Sequence, residues 1–231
     1  MKINDQLSRE SARRDSYNLI SACYHPPSRD LISTLRALQD RMRQIRTEAV
    51  QFVRRMREQL ETIGDFDVLL IDYSRLFLGP YELLAPPYGS VYLEVGRRVM
   101  GDSTVDTRNR YRDAGLDISK DFCEAPDHIA AELEFMYFLI FKELQALSNF
   151  DSELAIDYIK KQESFLEQHL TAWVAEFADN IEKNSQTEFY RNLGKCTRLF
   201  VLNDHRHLMK SFGGAISLHG AGCEESKSDV I

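Results

Sequence analysis

The sequence predicts an all-α protein, a single multi-helix, bundle-like domain. Three observations carry this. Apolar residues recur at steps of three and four, most clearly at Ile129, Leu133, Met136, Ile140, Leu144 and Leu147. No segment alternates apolar and polar residues as a half-buried strand would, and no internal repeat is visible. Short breakers at Pro26-Pro27, Gly64-Asp65, Gly79-Pro80 and Gly115 cut the chain into helix-sized pieces.

The first helix is expected from Ile3 to about Tyr24, with Tyr17, Ile20 and Tyr24 on one side, stopped by the proline pair. Ser28 or Asp30 then caps a stretch running to Thr62 with a bend, its apolar stripe formed by Leu31, Leu35, Leu38, Met42 and Ile45. Asp65 caps an unusually apolar helix, Phe66 to Leu78, which ends at Gly79-Pro80. Tyr81 to Gly89 reads as loop. Ser90 to Met100 reads as a short helix, and Asp102 or Ser103 caps the next, which ends near Gly115. Asp117 to Ala125 is a linker. Three long helices are expected after it: Asp127 to Asn149, Asp151 to Ala178, and Thr187 to Met209. Residues 1–210 thus form the helical domain, with a hinge near 117–127. Residues 211–231, rich in Gly, Ser and acidic side chains, read as a mobile tail.

Composition narrows the function. With 29 Lys+Arg against 36 Asp+Glu the net charge is −7, the wrong sign for general nucleic-acid binding and compatible with a basic partner peptide. No apolar run approaches the roughly 18–20 residues of a membrane span. The opening MKINDQLSRESARRDSYNLI lacks the apolar region of a secretory signal, so a cytoplasmic protein is expected. Cys23, Cys123, Cys196 and Cys223 form no paired-ligand spacing, so neither a zinc site nor a disulfide framework is indicated.

Two segments do not read as helix-bundle filler. Tyr73 to Tyr92 is an aromatic stretch interrupted by Gly and Pro, and Pro126-Asp127-His128 places an acid and an imidazole at a helix start. Asp127 reads first as the N-cap of the long helix, contributing about 1 kcal/mol. Pro126 holds Ala125 extended, and His128, facing the positive helix end, is favoured neutral. Aromatics at helical spacing are more often core than ligand site. Asp127 and His128 have no accompanying nucleophile motif, and no phosphate loop is present. His205 and His207 lie on different helix faces, Gly213-Gly214 and Gly220-x-Gly222 lack a strand–helix context, and Glu94 and Glu132 read as solvated surface.

Several pieces fall in a familiar order: Tyr73-x-x-Leu76-Phe77-x-Gly79-Pro80; Pro86-Pro87-Tyr88-Gly89-Ser90-Val91-Tyr92; Gly101-Asp102-Ser103-Thr104; Tyr111-x-x-x-Gly115; Pro126-Asp127-His128-Ile129 with Glu132-Leu133; and Phe165-Leu166-x-x-His169-Leu170-x-x-Trp173. An early Tyr17 with Tyr24-x-Pro26-Pro27 adds to them. Over roughly residues 15 to 200 the chain resembles the TorD/DmsD family of redox enzyme maturation chaperones. The resemblance implies an all-helical, cytoplasmic, non-catalytic protein that binds the twin-arginine leader, the apo form, or both, of a molybdenum-cofactor oxidoreductase and assists cofactor insertion before export. It carries over Tyr73, Leu76, Phe77, Pro87, Tyr88, Tyr92, Asp127 and His128 as leader-binding residues, and implies a monomer or a domain-swapped dimer. Where family members often carry Trp, this chain has Tyr at 73, 88 or 92, which adds a hydroxyl that needs a partner if buried. The resemblance also admits guanine nucleotide or molybdenum cofactor contact, which no motif here locates.

The chemistry is consistent with that reading. Carboxylates bind the guanidinium groups of an arginine pair, and an aromatic groove takes the adjoining apolar segment. Two other classes stay open at this point: a helical adaptor for an unrelated partner helix, and a small acid–base enzyme using Asp127 and His128.

Overall fold

The structure is a computed structural model that describes residues 2–79, 83–116 and 124–219, with side chains described for 5–79, 83–116 and 124–210. The helices are α1 (Lys2–Ala22), α2 (Leu31–Gln44), α3 (Val50–Thr62), α4 (Asp67–Tyr73), α5 (Ser90–Leu93), α6 (Asp102–Asp113), α7 (Ile129–Ser148), α8 (Ser152–Phe165), α9 (Thr171–Asn184) and α10 (Glu188–His219). π-helical turns extend α4 through Ser74–Leu78 and join α8 to α9 through Leu166–Leu170. Among the described residues the only extended pairing is a single antiparallel bridge, Tyr88 with His128. The chain is all-helical, as expected.

α1 packs between α2 and α7, α3 and α9 flank α10, and α8 lies against α7. The apolar stripe read from α7 is buried through Ile129, Leu133, Met136, Ile140 and Leu144. Between the helices runs a ladder of rings, in which Phe77 meets Tyr24, Tyr73, Phe177 and Tyr190 at centroid distances of 5.3–6.2 Å.

Several boundaries differ from expectation for local reasons. Residues 31–62 form two helices because Arg46 takes a positive φ of 58° and the Thr47 amide closes back onto the Met42 carbonyl. The helix expected over 90–100 is a single turn, because the chain reverses at Gly96 (φ 86°) and Arg97 (φ 55°). The last helix passes Met209 and continues to His219, so the first residues expected in the tail are helical. Glycine inside a helix costs about 1 kcal/mol but does not by itself end one. Residues 220–231 and most of the expected hinge, 117–123, lie outside the described residues, as do Cys123 and Cys223. Cys23 and Cys196 are free and buried, and burial pushes the Cys23 thiol up to about 12.

Candidate functional site

The two segments singled out in the sequence meet. The Ile129 amide donates to the Pro87 carbonyl at 2.8 Å and the Gly89 amide to the Asp127 carbonyl at 2.9 Å, zipping residues 87–89 against 127–129. Backbone pairing of this kind needs a close approach, which Gly89 permits. A Cβ there would lie 3.0 Å from Trp173 Nε1 and 3.3 Å from Glu132 Oε1.

Asp127 does not cap α7. Its Oδ2 accepts the Ser90 amide at 2.7 Å and so caps α5. The N-cap of α7 is His128, whose Nδ1 accepts the Ala130 amide at 3.1 Å. The turn at Pro126–Asp127 swings the carboxylate across to the other segment, and the imidazole one residue later stands over the first free N–H of α7. An Nδ1 that accepts cannot carry a proton, so the ring is the neutral Nε2–H tautomer in this arrangement. Burial pushes His128 down to about 4, opposed by nearby Glu124 and Asp127 and reinforced by His25.

Around this node stand groups that reach solvent. The Tyr88 hydroxyl donates to exposed Glu124 at 2.6 Å, and its ring meets that of His128 edge-on at 5.4 Å. Glu134, also exposed, accepts from Ser21 Oγ at 3.1 Å and lies 3.8 Å from His25. Its carboxyl is held below the usual range chiefly by nearby His25, against the opposing effect of burial. Two exposed carboxylates thus stand at the Tyr88 hydroxyl and at Ser21 beside the first turn of α7, and both favour the protonated imidazole of His128 against burial.

Of the residues expected to bind a leader, Pro87, Tyr88, Tyr92, Asp127 and His128 come together here. Tyr92 stacks on Trp173 (5.4 Å, 20°) and donates to the Pro86 carbonyl at 2.9 Å. Tyr73, Leu76 and Phe77 sit in the core beneath, with Leu76 fully buried. Tyr73 is pushed up to about 12 by burial and then by Glu124, which places it within electrostatic reach of the rim. The hydroxyls gained where the family often has Trp all find partners: Tyr73 on the Tyr24 carbonyl, Tyr88 on Glu124 and Tyr92 on the Pro86 carbonyl.

Sequence reasoning missed Glu124, Glu134 and His25, which carry no motif and belong to the site only through folding. It also misplaced one acid: Glu132 is fully buried and accepts the Trp173 indole N–H at 3.0 Å, whereas Glu94 keeps solvent contact while accepting the Ser103 amide at 2.7 Å in the first turn of α6.

The depressed His128 value has a consequence for stability. Between an ordinary 6.5 and about 4 the unfolded chain takes up a proton that the folded chain refuses, so stability falls as pH drops through that window. His128→Asn, which keeps an N-cap acceptor, is expected to remove on the order of 2–3 kcal/mol of that acid sensitivity. Chemical denaturation of both proteins at pH near 7 and near 4 measures the difference directly.

The fold and the site define an all-helical domain in which the acid and the imidazole each accept a backbone amide at a helix start. Comparison places it more closely. The family profile "Nitrate reductase delta subunit" matches residues 37–179, more than half of the chain. The chain belongs to this family, the nitrate reductase delta subunit and TorD/DmsD group of redox enzyme maturation chaperones. It is 32% identical over 127 residues to the Tat proofreading chaperone DmsD of Salmonella typhimurium, covering 55% of each protein. It is 28% identical over 157 residues to the chaperone protein TorD of Shewanella loihica, covering 64% of this chain and 68% of that one. It is 30% identical over 133 residues to a perchlorate reductase assembly chaperone protein of Dechloromonas aromatica, covering 56% of this chain and 58% of that one. The first of these matches thus spans only about half of the relative's length. A crystal structure from Archaeoglobus fulgidus, described as a redox enzyme maturation protein, shares the fold. Its TM-score is 0.52 at 24% identity, over 81% of this chain and 93% of that one. Among the described residues no helix is long and apolar enough to cross a membrane.

Proposed function

We propose that this chain is a cytoplasmic chaperone for an exported molybdenum-cofactor oxidoreductase. It binds the enzyme's twin-arginine leader, and its apo form, and so holds the client back until the cofactor is inserted. The observation that carries the reading is the pair of exposed carboxylates, Glu124 at the Tyr88 hydroxyl and Glu134 beside the first turn of α7, both acting on His128, whose ring meets that of Tyr88. Two guanidinium groups find acceptors there, with aromatic faces alongside for cation–π contact and for the apolar residues that follow them. Retention by occupancy needs no covalent chemistry. The names of the relatives, a Tat proofreading chaperone and a reductase assembly chaperone among them, support the same role.

The test is calorimetric. Glu124→Gln combined with Glu134→Gln keeps shape and hydrogen bonding but removes both charges, and is expected to weaken binding of a twin-arginine leader by more than about tenfold. Unchanged affinity would place the arginine pair elsewhere on the molecule.

A further inference from the structure

Beneath the proposed peptide surface lies a carboxyl group that the leader-binding reading does not use. Glu132 is fully buried; its Oε2 accepts the Trp173 indole N–H at 3.0 Å, and its Oε1 is buried without a hydrogen-bond partner. Among the described residues that act on it there is no cation: Asp127 acts on it from the 124–128 segment, Tyr111 from α6 and Trp173 from α9. A carboxylate there would have one donor, no counterion and a second acid nearby, an arrangement that a buried charge does not tolerate.

Trp173 is held on three sides. Glu132 fixes its N–H, Tyr92 stacks on its face, and the backbone of Gly89 lies so close that a methyl group would touch Nε1 at 3.0 Å. Gly89 is in turn paired to Asp127, and Tyr88 beside it to His128. The orientation of the indole therefore sets both the Tyr92 ring and the loop that presents Tyr88.

We propose that Glu132 is the positioning residue of this site, a neutral carboxylic acid that locks Trp173 against Gly89 and thereby aims Tyr88 and Tyr92 at the peptide. Burial, which drives the Glu132 carboxyl well above its ordinary range, agrees with this. The affinity part of the inference rests on the leader-binding reading; the protonation part does not.

Trp173 is the only tryptophan in the chain, so its fluorescence reports the state of Glu132 without any label. The full-length protein is compared with Glu132→Gln, Glu132→Leu and Trp173→Phe, each checked for helicity. Between about pH 5 and 8 the unmodified protein and Glu132→Gln are expected to share one emission maximum, with no titration. Glu132→Gln is expected to bind the twin-arginine leader within about twofold of the unmodified protein. Glu132→Leu and Trp173→Phe, which each break the same hydrogen bond, are expected to lose about tenfold or more. An emission titration present in the unmodified protein and absent from Glu132→Gln would overturn the neutral acid. Full affinity in both bond-breaking variants would overturn the positioning role. Failure of the unmodified protein to bind any leader would count against the leader reading instead, and the emission comparison would still decide the state of Glu132.

Discussion

Arg13→Met is expected to destabilise the fold by about 3–5 kcal/mol, through the charges it leaves behind rather than the contacts it deletes. Arg13 is only 4% exposed. Its guanidinium donates to Asp204 at 3.0 Å, to Gln162 at 2.6 Å, to Glu10 at 2.7 Å and to Glu143 at 3.4 Å, tying α1 to α7, α8 and α10 at one point. Asp204 also takes the Tyr17 hydroxyl at 2.7 Å. Methionine fills most of the space but supplies no charge, so Asp204 and Glu143 are left buried without a cation. Burial already pushes the Glu143 carboxyl up, and Arg13 opposes that. For a domain of this size the loss corresponds to a fall in melting temperature of roughly 10 °C. Thermal unfolding of Arg13→Met and of Arg13→Met with Asp204→Asn separates the two contributions. The double variant is expected to recover part of the loss, because it removes a stranded charge. Equal stability of Arg13→Met and the unmodified protein would mean the network contributes nothing.

Asp72→Ala is expected to cost about 3–4 kcal/mol, by leaving several donors without their acceptor. Asp72 has no solvent exposure, although it sits on the short helix α4. Its carboxylate accepts the Gln186 amide at 3.0 Å, the Thr187 amide at 2.9 Å and the Thr187 hydroxyl at 2.8 Å. These donors lie just before α10, so an acid 114 residues away fixes Thr187, whose hydroxyl oxygen in turn accepts the Tyr190 amide at 3.4 Å in the first turn of that helix. Amide hydrogen exchange over the first turn of α10 is expected to accelerate in the variant along with the global loss. Global loss without local acceleration would assign the effect to packing around α4 instead.

These two residues show where the sequence was legible and where it was not. The helices announce themselves because burial of one face imposes a period of three to four, and α7 carries that period through five turns. The start of the helix expected from Asp151 was legible for a similar reason, and the structure makes Asp151 its N-cap, with Oδ1 accepting the Leu154 amide at 3.0 Å. Asp72 and Arg13 are not legible, because their partners are distant in sequence and an acid in an apolar helix looks the same whether it caps another element or faces water. Tyr88, Tyr92 and the Asp127–His128 pair, expected from the order of motifs, come together in the fold. The α7 cap expected of Asp127 belongs to His128, since which of two adjacent side chains covers an amide depends on the turn between them. Glu132 was expected in solvent because acids are mostly exposed, and only folding shows that Trp173 lies over it. Glu134 and His25 become neighbours only once α1 packs on α7, and Glu124 meets Tyr88 only once residues 87–89 pair with 127–129.

The most direct test is a calorimetric titration of the full chain with a molybdoenzyme's twin-arginine leader, repeated with a leader whose arginine pair is replaced by two lysines. Lysine keeps the charge but loses the planar fork that pairs with a carboxylate. Saturable binding of the first leader, weakened about tenfold or more in the second, is the expected result. Equal affinity for the two leaders, or none for either, would contradict recognition of the arginine pair at the Glu124–Glu134 rim.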